Sequence, residues 1–162
     1  MILWENFNLN EIYVMLLLFI GFTAYVIVPS VLPKATTLLF LVWGFAISTI
    51  FDFTIGGGLI DFYKVNDVNS YELTDLLSYF AFAPFSYFFI YLYEKFLHSR
   101  TSIVLYILGW TMTGLLMEKL STSVGAIHYQ HGYVLWYSVP VFLVVLTSTA
   151  LLYEMVKKYD RT

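Results

Sequence analysis

Five stretches of about 20 mostly apolar residues divide this sequence, and they constrain its fold more than any other feature. A helix of ~20 such residues crosses the ~30 Å core of a lipid bilayer. The stretches run over residues 12–32, 36–55, 70–93, 102–120 and 133–153. We therefore predict an all-α, polytopic membrane protein in which one domain, residues 1–162, forms a bundle of five transmembrane helices.

The composition indicates that lipid is the main solvent of the chain. Apolar residues make up 60% of the 162 residues and charged residues only 12%, against roughly 25% charged in ordinary soluble domains. A soluble protein of this length could not bury so much apolar surface. The first apolar stretch follows Glu5 and Glu11 without any Lys or Arg, so we predict a retained anchor and not a cleaved signal peptide.

Glycines, prolines and a capping pattern mark the predicted helix ends. The glycines at 56–58 are expected to end the second helix, and Asn69 with Glu72 is expected to form a capping box before the third. Prolines inside a span are tolerated by membrane helices. The predicted helices contain three of them, with kinks expected at the last two: Pro29, Pro84 and Pro140.

The distribution of Lys and Arg predicts the orientation of the bundle, because positive residues of short loops favour the cytoplasmic side. If the N-terminus is outside, the cytoplasmic segments hold Lys34, Lys95, Arg100, Lys157, Lys158 and Arg161. The outer segments then hold only Lys64 and Lys119. We therefore predict that the N-terminus lies outside the cell and the C-terminus in the cytoplasm.

Two carboxylates inside predicted helices define the main candidate site. Asp52 and Glu118 each lie sixteen residues from the cytoplasmic start of a helix, which places both ~24 Å from that start at ~1.5 Å per residue. An ionisable group inside a span is a functional candidate because exposing it to lipid is costly. We predict an outward-facing polar pocket formed by this pair, with Asp75 and Lys119 as further ligand-binding candidates. The alternatives are carboxylates that reach the headgroups, or a structural ion pair between Asp52 and Lys119.

Two histidines near the last predicted helix suggest a metal site. His128 and His131 share a face if residues 127–132 form a helical turn. With Glu118 they would offer imidazole and carboxylate ligands to zinc or another divalent metal, the one cofactor that the sequence suggests. The alternatives are that both are solvated loop side chains, or that His128 faces the pocket.

The acids before the third helix have simpler explanations. Asp61, Asp67 and Asn69 carry oxygen donors suited to calcium, but their spacing lacks the central Gly and closing Glu of an EF-hand loop. We therefore predict solvated loop side chains. Glu72 and Asp75 suit the first turn of a helix, where the helix dipole favours acids.

Several classes of function are excluded by what the sequence lacks. Without Cys there is no disulfide, thiolate nucleophile or iron–sulfur cluster. No His lies mid-span for bis-histidine haem, no Lys lies mid-span for a retinal Schiff base, and no Walker-type glycine loop is present. No basic patch points to nucleic acid as a partner.

Several short motifs carry a resemblance to a known group of proteins. They are Asp52, the sequence YELTDL at 71–76, APF at 83–85, FIY at 89–91, Glu118, Gly125 and WYS at 136–138. Together they resemble a group of small five-helix membrane proteins of spore-forming Bacillota that has no established activity. The resemblance implies a location in the bacterial plasma membrane. The translocator-protein fold, another five-helix family, is excluded because its Trp-x-Pro-Pro signature is missing.

Three functions remain open from the sequence. We favour a non-enzymatic protein that binds, and in one version transports, a cation or a small polar solute in the outer pocket. The second is a membrane enzyme whose metal activates water against a lipid or another outer-leaflet substrate. The third is an accessory subunit that packs on a membrane partner or a second copy of the chain through small-residue faces at Gly44-x-x-x-Ser48 and Gly109-x-x-x-Thr113. The lipid bilayer is a partner in all three.

Overall fold

Helices dominate the computed structural model, which describes residues 7–57, 60–65, 72–96 and 100–159, with the backbone only at 100 and 101. The helices are α1 (Leu9–Ile27), α2 (Lys34–Thr54), α3 (Leu73–Phe96), α4 (Arg100–Ser123) and α5 (Ser138–Tyr159). Two short strands and a 3-10 turn complete the fold: β1 (Tyr63–Val65), β2 (Ile127–Tyr129) and Leu135–Tyr137. Within the described residues, five helices are long and apolar enough to cross a membrane. The predicted all-α, multi-pass architecture is confirmed at this level.

The first helix differs from its prediction at both ends, for local reasons. It begins at Leu9 because Asn8 and Glu11 form a capping box, in which the Glu11 carboxylate accepts the Asn8 backbone N–H at 2.7 Å. It ends at Ile27, and Val28 is extended, because a residue before proline avoids the helical conformation. The prediction that Pro29 lies inside the helix is therefore wrong.

The other two prolines have different positions in their helices. Pro84 lies inside α3, as predicted. A Cβ atom at Gly21 of α1 would lie 2.7 Å from Pro84 Cγ, so a glycine is needed where α1 crosses the proline. Pro140 lies in the first turn of α5, which begins at Ser138. A proline there removes no internal hydrogen bond. Pro140 lies within the candidate span Leu135–Tyr159, as predicted, and the kink at this position stays a prediction.

The start of α3 is stabilised by an acid of its own first turn. Asp75 Oδ2 accepts the backbone N–H of Glu72 at 2.9 Å, which satisfies one of the N–H groups left unpaired at a helix start. The predicted capping role of Asn69 lies outside the described residues, as does Gly58 of the glycines predicted to end α2. Observed α2 ends at Thr54.

The central element of the bundle is α3, which packs against α1, α2 and α5. Half of its span is buried, compared with 22% or less for each of the other four spans. Its side chains Tyr87, Phe89 and Ile90 join Phe40 of α2 in the most buried part of the core. A Cβ atom at Gly44 of α2 would lie 2.5 Å from the Phe82 carbonyl oxygen. The small-residue face predicted at Gly44 is therefore used for close packing within this chain.

The two strands join distant loops at one end of the bundle. They pair antiparallel, with Tyr63 opposite Tyr129 and Lys64 opposite His128. We call this end, where α2 and α4 finish and α3 and α5 begin, the sheet end. Neither strand was predicted from the sequence, and the pairing orders both segments over the helix ends.

At the opposite end of the bundle, α3 and α5 exchange hydrogen bonds between identical Leu-Tyr-Glu sequences at 92–94 and 152–154. Tyr93 donates to Glu154 Oε1 at 2.9 Å, and Tyr153 donates to Glu94 Oε2 at 2.8 Å. Lys157 Nζ lies 2.6 Å from the same Glu94 oxygen. These contacts tie the ends of two helices together through charge-assisted hydrogen bonds.

Candidate ligand-binding cavity

A cavity of about 280 Å³ lies between the helices, and residues of all five helices line it. On α5 its lining extends from Ser138 to Thr149, a distance of ~16 Å at ~1.5 Å per residue. The strand residues Tyr63, Val65 and Ile127 line it at the sheet end. The cavity is thus a long internal space that begins beneath the strands.

Asp52 lines this cavity from the last turn of α2. Its Oδ2 atom accepts a hydrogen bond of 2.5 Å from the Tyr79 hydroxyl of α3. Its Oδ1 atom is buried and has no hydrogen-bond partner among the described residues. A buried carboxylate oxygen without a donor or a cation is costly. A donor or a cation bound in the cavity would satisfy this oxygen.

Glu118 lines the same cavity from α4. Its Oε1 atom accepts hydrogen bonds from the Tyr129 hydroxyl at 2.7 Å and from Ser138 Oγ at 2.6 Å. Tyr133 lies 2.8 Å from Ser138 Oγ and must donate there, because the single Ser138 proton points to Glu118. A chain of hydroxyl groups thus fixes the Glu118 carboxylate at the start of α5.

Tyr63 of β1 connects the surroundings of the two carboxylates. Burial raises the pKa of the Tyr63 hydroxyl, and the negative charges of Asp52 and Glu118 raise it further. The Tyr63 hydroxyl therefore stays protonated. Burial also raises the pKa values of Tyr129 and Tyr133, so these hydroxyl groups can donate to Glu118 and Ser138 without adding negative charge.

The charged side chains of the described cavity lining are both acids. Among the described residues that line the cavity, none is Lys, Arg or His. Lys119 is exposed on α4 and outside the lining. No ion pair joins it to Asp52 in the part of the chain that the structure describes, so the alternative of a structural ion pair is not observed there.

Asp75, the other predicted pocket residue, is buried at the start of α3 and does not line the cavity. Its Oδ2 atom accepts the Glu72 N–H. This contact fits the structural explanation, in which Asp75 stabilises the start of α3, better than a role in the pocket.

The predicted metal ligands do not come together. Residues 127–129 form strand β2, so the helical turn that would align His128 with His131 does not form. His131 has a positive φ of 51°, and its Nδ1 atom lies 2.7 Å from the Asp61 carbonyl oxygen. Within the described residues, no group of three or more His, Asp or Glu side chains could hold a metal ion. Asp67 and Asn69 of the weighed calcium site lie outside these residues.

The hydroxyl groups that hold the carboxylates were missed by the sequence analysis. Tyr79, Tyr129 and Ser138 donate directly to the two acids. The sequence does contain a usable signal, because several tyrosines follow α2 and several precede α5. Buried tyrosines need polar partners, and the two carboxylates lie near these segments. Among the three donor residues, only Ser138 was named from the sequence, as part of the WYS motif at 136–138.

No family model matches the sequence, and no curated protein or solved structure is similar to it. The class that the fold defines is a five-helix membrane protein with a carboxylate-lined internal cavity. The resemblance to the Bacillota group stays a prediction.

Proposed function

We propose that this protein binds a cation or a small polar solute in the cavity lined by Asp52 and Glu118. One observation carries the proposal. Two carboxylates lie in one cavity without a basic side chain among its described lining residues, and one carboxylate oxygen has no hydrogen-bond partner among the described residues. Ionised groups in a low-dielectric interior need a counter-charge. A bound positive group would supply it.

The neutral contacts of the two acids support the same proposal. Tyr79, Tyr129 and Ser138 orient the carboxylates through hydrogen bonds, and these neutral donors bring no positive charge. Side chains that are already held in position lose little freedom when a ligand binds. The arrangement is suited to binding. Transport of the bound cation or solute is a further part of the proposal.

The test is thermal unfolding of the purified protein in a maltoside detergent with added chloride salts of Na⁺, K⁺, Ca²⁺ and tetramethylammonium. N-methylglucamine chloride serves as the bulky reference salt. At a concentration of about 100 times Kd, a bound cation stabilises the folded state by about 2.7 kcal/mol. We expect the stabilisation to disappear in the double variant Asp52→Asn, Glu118→Gln.

The matched control is Asp61→Asn, which removes an acid at the same end of the bundle. Asp61 lies outside the cavity lining, and its side chain is 41% exposed. The control should keep the full cation effect. Unchanged stabilisation in the Asp52, Glu118 double variant would overturn the proposal.

We propose further that the N-terminus lies outside and the C-terminus in the cytoplasm of a bacterium, so that the sheet end faces outward. The supporting observation is the excess of Lys and Arg in the segments of the opposite end. Because the chain contains no Cys, single cysteines at Gly57 and Tyr159 can be labelled selectively in intact cells. A membrane-impermeant maleimide should label Gly57→Cys only. External labelling of Tyr159→Cys instead would show that the proposed orientation is wrong.

The metal-dependent enzyme and the accessory subunit stay predictions. No contact among the described residues favours either of them over a binding protein.

A further inference from the structure

The lining of the cavity changes in character along its length. At the sheet end it contains the two carboxylates together with Tyr63, Tyr133 and Ser138. Toward the middle of the bundle it consists mainly of apolar and aromatic side chains, among them Phe89, Trp110, Phe142 and Leu146. A small ion or solute bound at the carboxylates would leave this apolar section unfilled.

Most hydroxyl groups of the deeper section are already hydrogen-bonded within the protein. Thr113 donates to the Gly109 carbonyl at 3.1 Å, and Ser48 donates to the Phe45 carbonyl at 2.9 Å. Thr149 donates to Val145 at 2.7 Å and accepts from Trp43 Nε1 at 2.8 Å. Ser86 Oγ is the exception among the described lining hydroxyls, being buried without a partner. The deeper section therefore offers little to a polar solute.

The aromatic residues beside the carboxylates suit an organic cation. Tyr63 and Tyr133 line the cavity at its carboxylate end, and their ring centroids lie 6.2 Å apart, so the two rings pack beside each other as one aromatic part of the lining. Aromatic rings attract substituted ammonium groups through their negative faces. Acids and aromatic rings together are a better match for an alkylammonium head than for a hydrated inorganic ion.

We infer that the ligand is an amphiphilic cation, with a substituted ammonium head near Asp52 and Glu118 and an apolar body extending toward Trp110 and Leu146. This inference rests on the proposed function and adds the chemical class of the ligand. An anionic head would meet two carboxylates with no basic side chain among the described lining residues. A purely polar cation would gain nothing from the ~16 Å of lining along α5.

A series of water-soluble probes tests the inference on the unaltered protein. Tetramethylammonium, butyltrimethylammonium and hexyltrimethylammonium chloride carry the same head with chains of increasing length. Isothermal titration in maltoside detergent measures each affinity, with hexanesulfonate as the anionic comparison. Because each buried methylene contributes about 0.8 kcal/mol, we expect affinity to rise about fourfold per added methylene. Hexanesulfonate should not bind.

Two neighbouring substitutions on α5 separate the chain from the head. Val145 lines the cavity, and Val144 is 60% exposed on the outer surface. Val145→Phe should reduce the affinity for hexyltrimethylammonium to that of tetramethylammonium without changing the latter. Val144→Phe adds the same side chain outside the cavity and should leave the whole series unchanged.

The outcomes distinguish this inference from the proposed function. If tetramethylammonium or an inorganic cation binds as tightly as hexyltrimethylammonium, the ligand class is wrong while cation binding stands. If no cation or polar solute binds, or if binding survives in the Asp52→Asn, Glu118→Gln variant, both fail. The chain-length series does not depend on any variant, so it decides the matter even if Val145→Phe does not fold.

Discussion

The two ends of the bundle hold similar acidic groups in different electrostatic settings. At the opposite end, the Glu94 carboxylate accepts a tyrosine hydroxyl and lies 2.6 Å from Lys157. At the sheet end, the Asp52 carboxylate accepts a tyrosine hydroxyl in a cavity without a basic residue among its described lining. The tyrosine contacts of the two acids are alike, and the difference is the Lys157 ammonium group, which only Glu94 has beside it.

This difference separates a structural acid from a candidate binding acid. An ion pair that is completed within the chain stabilises helix packing and leaves no charge for a ligand to neutralise. A carboxylate oriented by neutral donors receives no counter-charge from them, so when it is ionised its surroundings favour a cation from outside the chain. A hydrogen bond from a tyrosine therefore does not identify a binding acid. The distinguishing feature is that the described lining around Asp52 contains no basic side chain.

The largest expected loss of stability comes from breaking the ion pair between Glu94 and Lys157 at the opposite end of the bundle. Lys157→Met leaves the Glu94 carboxylate with Tyr153 as its donor. Loss of one partner of a fully buried pair costs about 3–5 kcal/mol, and we expect about 1–2 kcal/mol because the two side chains are 27% and 32% exposed. Unfolding by dodecyl sulfate in mixed micelles measures the loss.

Lys119→Met is the matched control for that substitution. Lys119 is exposed and outside the cavity lining, so its replacement should change the free energy of unfolding by less than about 0.5 kcal/mol. Equal losses in the two variants would contradict the ion pair as the distinguishing feature of the opposite end.

The next largest effect is expected from a substitution that displaces the Asp52 carboxylate at the sheet end. A Cβ atom at Gly56 would lie 2.6 Å from Asp52 Oδ1, 2.7 Å from the Asp52 carbonyl oxygen and 2.9 Å from Tyr63. Gly56→Ala should therefore displace the carboxylate or the strand and weaken cation binding about tenfold, or ~1.4 kcal/mol. Titration with the tightest-binding cation of the salt series measures the change.

The adjacent glycine provides the control. A Cβ atom at Gly57 has nothing within 4 Å, so Gly57→Ala should bind the same cation with unchanged affinity. If Gly56→Ala also bound normally, the position of Asp52 would not matter for binding.

The sequence predicted the helices because each apolar stretch is long enough to cross a bilayer whatever its neighbours are. It also singled out Asp52 and Glu118, because the same count of residues along two helices places them at one depth. The structure puts both acids at one cavity, and that they bind a ligand stays a prediction. Helix ends were predicted less well, since Pro29 and Pro140 act through local backbone geometry.

The sheet end could not be predicted because its contacts join residues far apart in the chain. Strands β1 and β2 have three residues each, too few for a recognisable alternating pattern. Their pairing decides that Tyr63 meets the cavity and that His128 does not align with His131. The predicted metal site failed to assemble for the same reason, because it depended on a local helical turn.

The smallest expected effect gives the most direct comparison of the two ends, because one kind of substitution should lower the free energy of unfolding at one end and not at the other. Glu94→Gln removes the charge that pairs with Lys157 and should lower the free energy of unfolding by about 1 kcal/mol. Asp52→Asn keeps an oxygen for Tyr79 and removes a charge without a described cation, and its amide costs less to bury than an ionised oxygen. Without ligand, this variant should unfold with an unchanged free energy or one raised by up to about 1 kcal/mol. Dodecyl sulfate titration of both variants without added cation measures the two signs. A loss in Asp52→Asn as large as that in Glu94→Gln would mean that both acids are structural and that the ends do not differ in the way we infer.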